Sequence, residues 1–243
     1  MPGRTTSQRD MPRGGNASLV FRLAIQTSVW LCFMALLLFG PAGNWRWPQG
    51  WAFLAIFGLG GIGLSVWLLP RDPALLAARL GPVIQRGQPL WDRVFMLTFV
   101  GLWCGWLALM ALDAQRWRTS DLPPALNVAG AGLVIAGFFA TLRVFRENSF
   151  AAPVVRVQQE RAQRVIDTGP YAVVRHPMYA SALLYLVGMP LLLGSWYGLL
   201  AVPLLVLGMA PRAVLEERLL RRDLPGYAAY MMRVRYRLIP GVW

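Results

Sequence analysis

Arg175, His176 and Pro177 stand directly before Met178–Ala210, an apolar run of 33 residues, with Tyr171 just ahead of them and Met178 and Tyr179 just behind. His176 is the only histidine of the chain. Proline suits the first position of a helix, where a missing N–H costs nothing, so His176-Pro177 reads as a helix start. The free N–H groups and positive dipole end of that helix, beside Arg175, make a seat for a carboxylate. A plainer reading is that Arg175, His176 and Tyr179 anchor a helix end at a membrane surface.

A second polar set, Arg212, Glu216, Glu217, Tyr227 and Tyr230, follows the apolar run. Arg212 and Glu216 are four residues apart and share a helix face. An ordinary surface ion pair would look the same. Yet the chain has only four glutamates, and two of them adjoin where the last apolar segment ends, a costly place for acids without a task. Arg218, Arg221 and Arg222 read instead as a solvated face touching anionic lipid.

Several chemistries are excluded. All 24 basic residues are arginine, which removes Schiff-base and phosphate-loop lysines. One histidine, with Cys32 and Cys104 each isolated in an apolar segment, allows neither a metal-ligand spacing nor a disulfide framework. Gly58-Leu59-Gly60-Gly61-Ile62-Gly63 spells a dinucleotide fingerprint but lies within an apolar span, follows no strand and opens no soluble helix. Glycines there suit close helix contact, as do the pairs Gly101 with Gly105 and Gly194 with Gly198. The net charge of +13 comes from arginines bordering apolar spans, which points to anionic lipid headgroups and away from nucleic acid.

The elements that position these residues are membrane helices. A 243-residue chain that is 56% hydrophobic and 14% charged solves its burial problem in lipid, as an all-α integral membrane protein. Residues 1–18 read as a disordered tail, 19–143 as N-terminal transmembrane helices and 144–243 as the region carrying the chemistry. Spans are expected at Leu19–Phe39, Trp51–Leu69, Val94–Leu112 and Ala125–Leu142. One helix over Met178–Ala210 would reach about 50 Å at ~1.5 Å per residue, too long for one crossing. Gly188-Met189-Pro190 and Gly194-Ser195-Trp196 predict a hairpin there, giving about six passes and then a cytoplasmic helical segment. In that scheme 21 of the 24 arginines share one side, which places both termini in the cytoplasm, and the protein in the inner membrane if its source is bacterial. Trp45, Trp47, Trp51, Trp117 and Trp196 fall near the far interface, where an aromatic belt is expected.

Thr168 to Tyr179, the apolar hairpin, Glu216-Glu217, Tyr227, Tyr230 and the ending Arg237 to Trp243 together resemble the isoprenylcysteine carboxyl methyltransferase and phospholipid methyltransferase superfamily over roughly residues 144–243. The resemblance implies S-adenosylmethionine in a pocket open to the cytosol and a lipophilic or prenylated acceptor entering from the bilayer. By position it implies that Gln163, Arg164, Val165, Ile166, Tyr171, His176, Pro177, Met178 and Tyr179 line the cofactor pocket. Glu216 matches a cofactor-binding glutamate, with Glu217, Tyr227 and Tyr230 beside it, and Arg212 matches an arginine that holds a substrate carboxylate. A family glutamine falls on either Arg156 or Gln158. Arg175 and His176 would then meet the methionyl carboxylate, and a carboxylate, prenylcysteine-type acceptor fits best, because it is already ionised at neutral pH and needs no general base.

Two other readings compete. Membrane sterol-type reductases using NADPH also carry an Arg-His-Pro-x-Tyr element, but a Gly-Glu pair is expected after the tyrosine, where this chain has Ala180-Ser181-Ala182-Leu183. A non-enzymatic scaffold or transporter would show charges inside the spans, whereas only Arg22 and Arg143, near span ends, occur.

Overall fold

The structure is a computed structural model and describes residues 13–243. Its long helices are α1 (Arg13–Ala42), α2 (Pro48–Arg71), α4 (Leu90–Ala111), α5 (Pro124–Glu147), α6 (Pro177–Leu193) and α8 (Val202–Asp223). Short helices α3 (Pro73–Arg79), α7 (Trp196–Leu200) and α9 (Tyr227–Arg233) join or follow them, and the described residues contain no strand. Proline opens α2, α3, α5 and α6, where its fixed φ suits the first turn. Of the expected tail, residues 1–12 lie outside the described residues, while Arg13 to Ser18 already belong to α1.

Among the described residues, five segments are long and apolar enough to cross a membrane: Ala17–Ala42, Pro48–Arg71, Leu90–Trp117, Pro124–Glu147 and Trp196–Asp223; Pro177–Leu193 is a shorter apolar helix. The protein is an all-α, multi-pass integral membrane protein, and it turns large apolar side chains such as Leu59, Val128, Phe139 and Leu204 outward, as a lipid solvent demands. The expected hairpin is present. Gly194 ends α6 in the left-handed region at φ +80°, which glycine adopts without strain, and the Ser195 hydroxyl accepts from Gly198 N–H at 2.9 Å to cap α7.

The closest helix crossing joins α5 to α6 through Gly130 and Gly188. A Cβ on Gly130 would stand 2.3 Å from Leu192 N, and one on Gly188 would stand 2.8 Å from Gly130 O. Among the glycines singled out in the sequence, Gly60 packs on Phe138 and Gly198 on Met110, but Gly101 and Gly105 face open space and mediate no contact. The α5–α6 pair matters because it fixes where α6 begins, and therefore where His176 sits.

At the opposite end of α6, buried Asp113 accepts from Ser195 Oγ at 2.5 Å, Ser120 Oγ at 2.7 Å and Tyr197 N–H at 3.2 Å. This ties the hairpin turn to the segment after α4. Trp47 departs from the aromatic belt. It is buried under Gly50 and edge-on to Phe39, whereas Trp45, Trp51, Trp117 and Trp196 are exposed as expected.

Candidate functional site

The two polar sets meet at one end of the bundle, because α6 starts and α8 ends there. His176 is the residue before α6, and Pro177 is its first position. The C-terminal segment folds back over this start: Arg175 N–H donates to Tyr236 O and His176 N–H to Arg237 O, both at 2.9 Å. Two residues are thereby fixed at the mouth of a helix.

Glu217 anchors the cluster from behind. It is buried, and its Oε1 accepts from Arg175 Nε at 2.6 Å and from His176 Nε2 at 3.1 Å, while Oε2 accepts from Arg237 Nε at 3.0 Å. Arg175 Nη1 also donates to Val234 O at 2.8 Å and Arg235 O at 2.9 Å. Arg175 thus ties the C-terminal segment to α8 while it also lines the neighbouring cavity, whereas Glu217, expected at the cofactor pocket, faces this cluster and does not line that cavity.

Glu216 turns the other way, into a cavity of about 210 Å³. The Tyr179 hydroxyl donates to Glu216 Oε2 at 2.6 Å, and His176 Nδ1 lies 4.0 Å from the same oxygen. The imidazole and the Tyr179 ring stack with centroids 5.3 Å apart and planes 12° from parallel. With Nε2 directed at Glu217, Nδ1 is the ring nitrogen turned toward Glu216.

The remaining predicted wall residues are also there. Gln163, Arg164, Val165 and Ile166 line one side of this cavity, and Pro177 and Met178 line another. Tyr171, Tyr227 and Tyr230 complete it, with the Tyr230 hydroxyl donating to Tyr171 O at 2.8 Å and Asn148 Nδ2 donating to the Tyr171 hydroxyl at 2.7 Å. Burial pushes the phenols of Tyr171, Tyr227 and Tyr230 above the ordinary tyrosine range. Of the two candidates for the family glutamine's place, Arg156 lines the cavity and its buried Nε has no partner. Gln158 is buried elsewhere, donating from Nε2 to Phe150 O at 2.9 Å.

Arg212 stands on the cavity wall, but it is not free. Its Nε donates to Asp92 Oδ1 at 2.9 Å and its Nη2 to Pro153 O at 2.7 Å, and its guanidinium lies 5.0 Å from the Phe95 ring and 5.6 Å from that of Tyr179. Asp92 is fully buried in the first turn of α4 and also accepts from Gln88 Nε2 at 2.8 Å and Val155 N–H at 2.9 Å. Sequence reasoning passed over Asp92 because it precedes the apolar stretch that begins at Val94. The available signal was an acid at a span edge, which seldom goes unpaired.

A second, larger cavity of about 630 Å³ lies among α1, α2, α5 and α6, and shares Arg79, Met178, Tyr179 and Arg212 with the first. Gly58 and Gly61 border it, so those glycines leave room for a chamber rather than seat a nucleotide.

Residues 126–224, from early α5 to the end of α8, match the family profile described as phospholipid methyltransferase. Over that segment the chain is similar to the phospholipid methyltransferase family. No curated protein matches the chain closely. The matched segment contains the histidine motif, the hairpin, Arg212 and Glu216.

Proposed function

We propose that the smaller cavity binds S-adenosylmethionine and that the protein methylates a lipophilic acceptor through a carboxylate, as in isoprenylcysteine O-methylation. The observation that carries this reading is the convergence of Glu216, Tyr179 and His176 on one cavity wall, within the segment that matches the methyltransferase family.

The residues suit such a donor. Glu216 and the tyrosine faces offer a carboxylate and π surfaces to a sulfonium cation. The unpartnered Nε of Arg156 and the N-terminus of α6 offer donors to the methionyl carboxylate. When bound, S-adenosylmethionine supplies an electrophilic methyl group; its transfer to a carboxylate oxygen breaks the C–S bond, forms an O–C bond and yields a neutral ester and a neutral thioether.

The chain's own part is orientation and exclusion of water. An acceptor carboxylate with a pKa of roughly 3.5–4 is ionised at neutral pH, so no side chain must remove a proton. Arg212, held by Asp92 and Pro153, stands at the junction of the two cavities, ready to direct the acceptor's carboxylate while its charge is already shared. Glu217 acts behind the wall by fixing His176 and Arg175. The apolar lining of the larger cavity supports an acceptor that arrives from the bilayer, and the arginine asymmetry supports a cytoplasmic mouth with anionic lipids around it.

The test uses purified full-length protein, S-adenosylmethionine carrying a tritiated methyl group, and N-acetyl-S-farnesylcysteine as acceptor. Base-labile label in the organic phase is expected, because a methyl ester hydrolyses. Base-stable label appearing only on phosphatidylethanolamine would assign amine methylation instead, and no transfer to either would remove the proposal.

A further inference from the structure

Arg79 stands on the wall common to both cavities and, among the described ion pairs, has no acidic partner. Its Nη1 donates to Ala151 O at 2.8 Å, and its guanidinium stacks 4.6 Å from the centroid of the Phe145 ring. Both contacts orient the group without neutralising it. Two other arginines on the cavity wall differ: Arg175 is paired with Glu217 and Arg212 with Asp92. Nearby acids are committed, Asp92 to Arg212 and Glu216 to the Tyr179 hydroxyl. Burial pushes the Arg79 pKa down to about 10, so the group still carries its charge at neutral pH. A partly buried cation without a counter-ion is unfavourable, and an incoming anion relieves that cost.

The larger cavity explains what kind of anion. Trp30, Phe57, Phe99, Phe138 and Leu68 give it apolar walls, and its volume of about 630 Å³ falls within the ~300–1,000 Å³ usual for sites that enclose small molecules. Such a chamber takes a hydrocarbon chain, and the charge at its junction with the smaller cavity takes the head.

We propose that Arg79 is the anion clamp for the acceptor: it binds the carboxylate head of a long-chain amphiphile whose apolar tail fills the larger cavity, and it selects against neutral and cationic heads. Arg79 lies outside the segment that matches the family profile, so the assignment comes from this chain's own geometry. It deepens the methyltransferase reading and rests on it for the fate of the carboxylate, although the clamp itself is a binding property. Arg212 then directs the carboxylate held by Arg79, and the division of labour explains why one arginine is paired and the other is not.

The experiment measures equilibrium binding of N-acetyl-S-farnesylcysteine and its carboxamide to the full-length protein in detergent, for the wild type, Arg79→Gln and Arg79→Lys. The wild type is expected to prefer the carboxylate at least tenfold. Arg79→Gln should bring that ratio near one with carboxamide affinity unchanged, and Arg79→Lys should keep part of it. A wild type without preference overturns the proposal, as does an Arg79→Gln protein that keeps it. Dioleoylphosphatidylethanolamine displacing the carboxamide more effectively than the carboxylate probe does also overturns it. S-adenosylmethionine titrated into the same samples reads the parent proposal separately: carboxylate preference without donor binding leaves the clamp standing and removes the methyl-transfer reading.

Discussion

Arg175 and Glu217 meet at 2.6 Å with both side chains nearly sealed from solvent, and the same Glu217 oxygen holds His176 at 3.1 Å. Three cationic or donor groups from two distant parts of the chain, Arg175, His176 and Arg237, therefore converge on one acid of α8. Replacing Glu217 by Gln keeps the shape and removes the charge, leaving Arg175 buried and uncompensated. A loss of about 3–5 kcal/mol in unfolding free energy is expected, the range for breaking a buried pair by removing one partner. Denaturant unfolding of the purified protein checks this; a variant as stable as the wild type would show that the cluster holds nothing together.

Asp92 gives a different outcome, because it acts on the orientation of Arg212. Asp92→Asn is expected to lower turnover at least tenfold, equal to about 1.4 kcal/mol, while S-adenosylmethionine affinity stays within twofold of the wild type. Single-turnover rates and a donor titration on the same preparation separate the two effects. Equal loss of both would place Asp92 in the support of the donor pocket instead.

Arg156 and Gln158 share one expected place in the sequence but differ in the structure. Arg156→Ala is expected to weaken donor binding by tenfold or more, since the residue lines the cavity and its buried Nε is unpartnered. Gln158→Ala should instead lower the unfolding midpoint with little change in donor affinity, because Gln158 ties Phe150 O and Arg161. Exchange of these two phenotypes would reverse the assignment.

The site tyrosines set an alkaline limit on stability. Their folded pKa values lie above the unfolded value of about 10, so below pH 10 both states keep the protons and stability is fully present. As pH rises beyond 10, the unfolded chain ionises first and stability falls. Phenolate absorbance near 295 nm from Tyr171, Tyr227 and Tyr230, read as the difference from their Phe variants, is expected to appear only as the chain unfolds. Reversible ionisation of these residues near pH 10 in the folded protein would contradict their burial.

The sequence made the helix start at His176-Pro177 legible because proline and a lone histidine at the head of an apolar run leave few other arrangements. Span positions and the hairpin turn were equally plain, since bilayer thickness limits helix length and Gly194 marks the break. What composition could not reveal was partner choice. Glu216 and Glu217 are neighbours in sequence, yet one faces the cavity and the other the Arg175 cluster, because successive helix residues point about 100° apart. Asp92 and Arg79 stayed hidden for a similar reason: their roles come from contacts 120 and 72 residues away, to Arg212 and Ala151. Trp47 and the Gly101–Gly105 pair were misread because residue type alone does not tell which residues turn inward and which meet lipid.

The central claim is that the cavity bounded by Glu216, Tyr179 and His176 is a seat for a positively charged methyl donor. Equilibrium titration of the full-length protein with S-adenosylmethionine, beside a parallel titration with NADPH, tests it most directly, using the wild type and Glu216→Ala. Saturable binding of S-adenosylmethionine alone, weakened at least tenfold in Glu216→Ala, is the expected result. Saturable NADPH binding, or S-adenosylmethionine affinity untouched by the loss of Glu216, would contradict it.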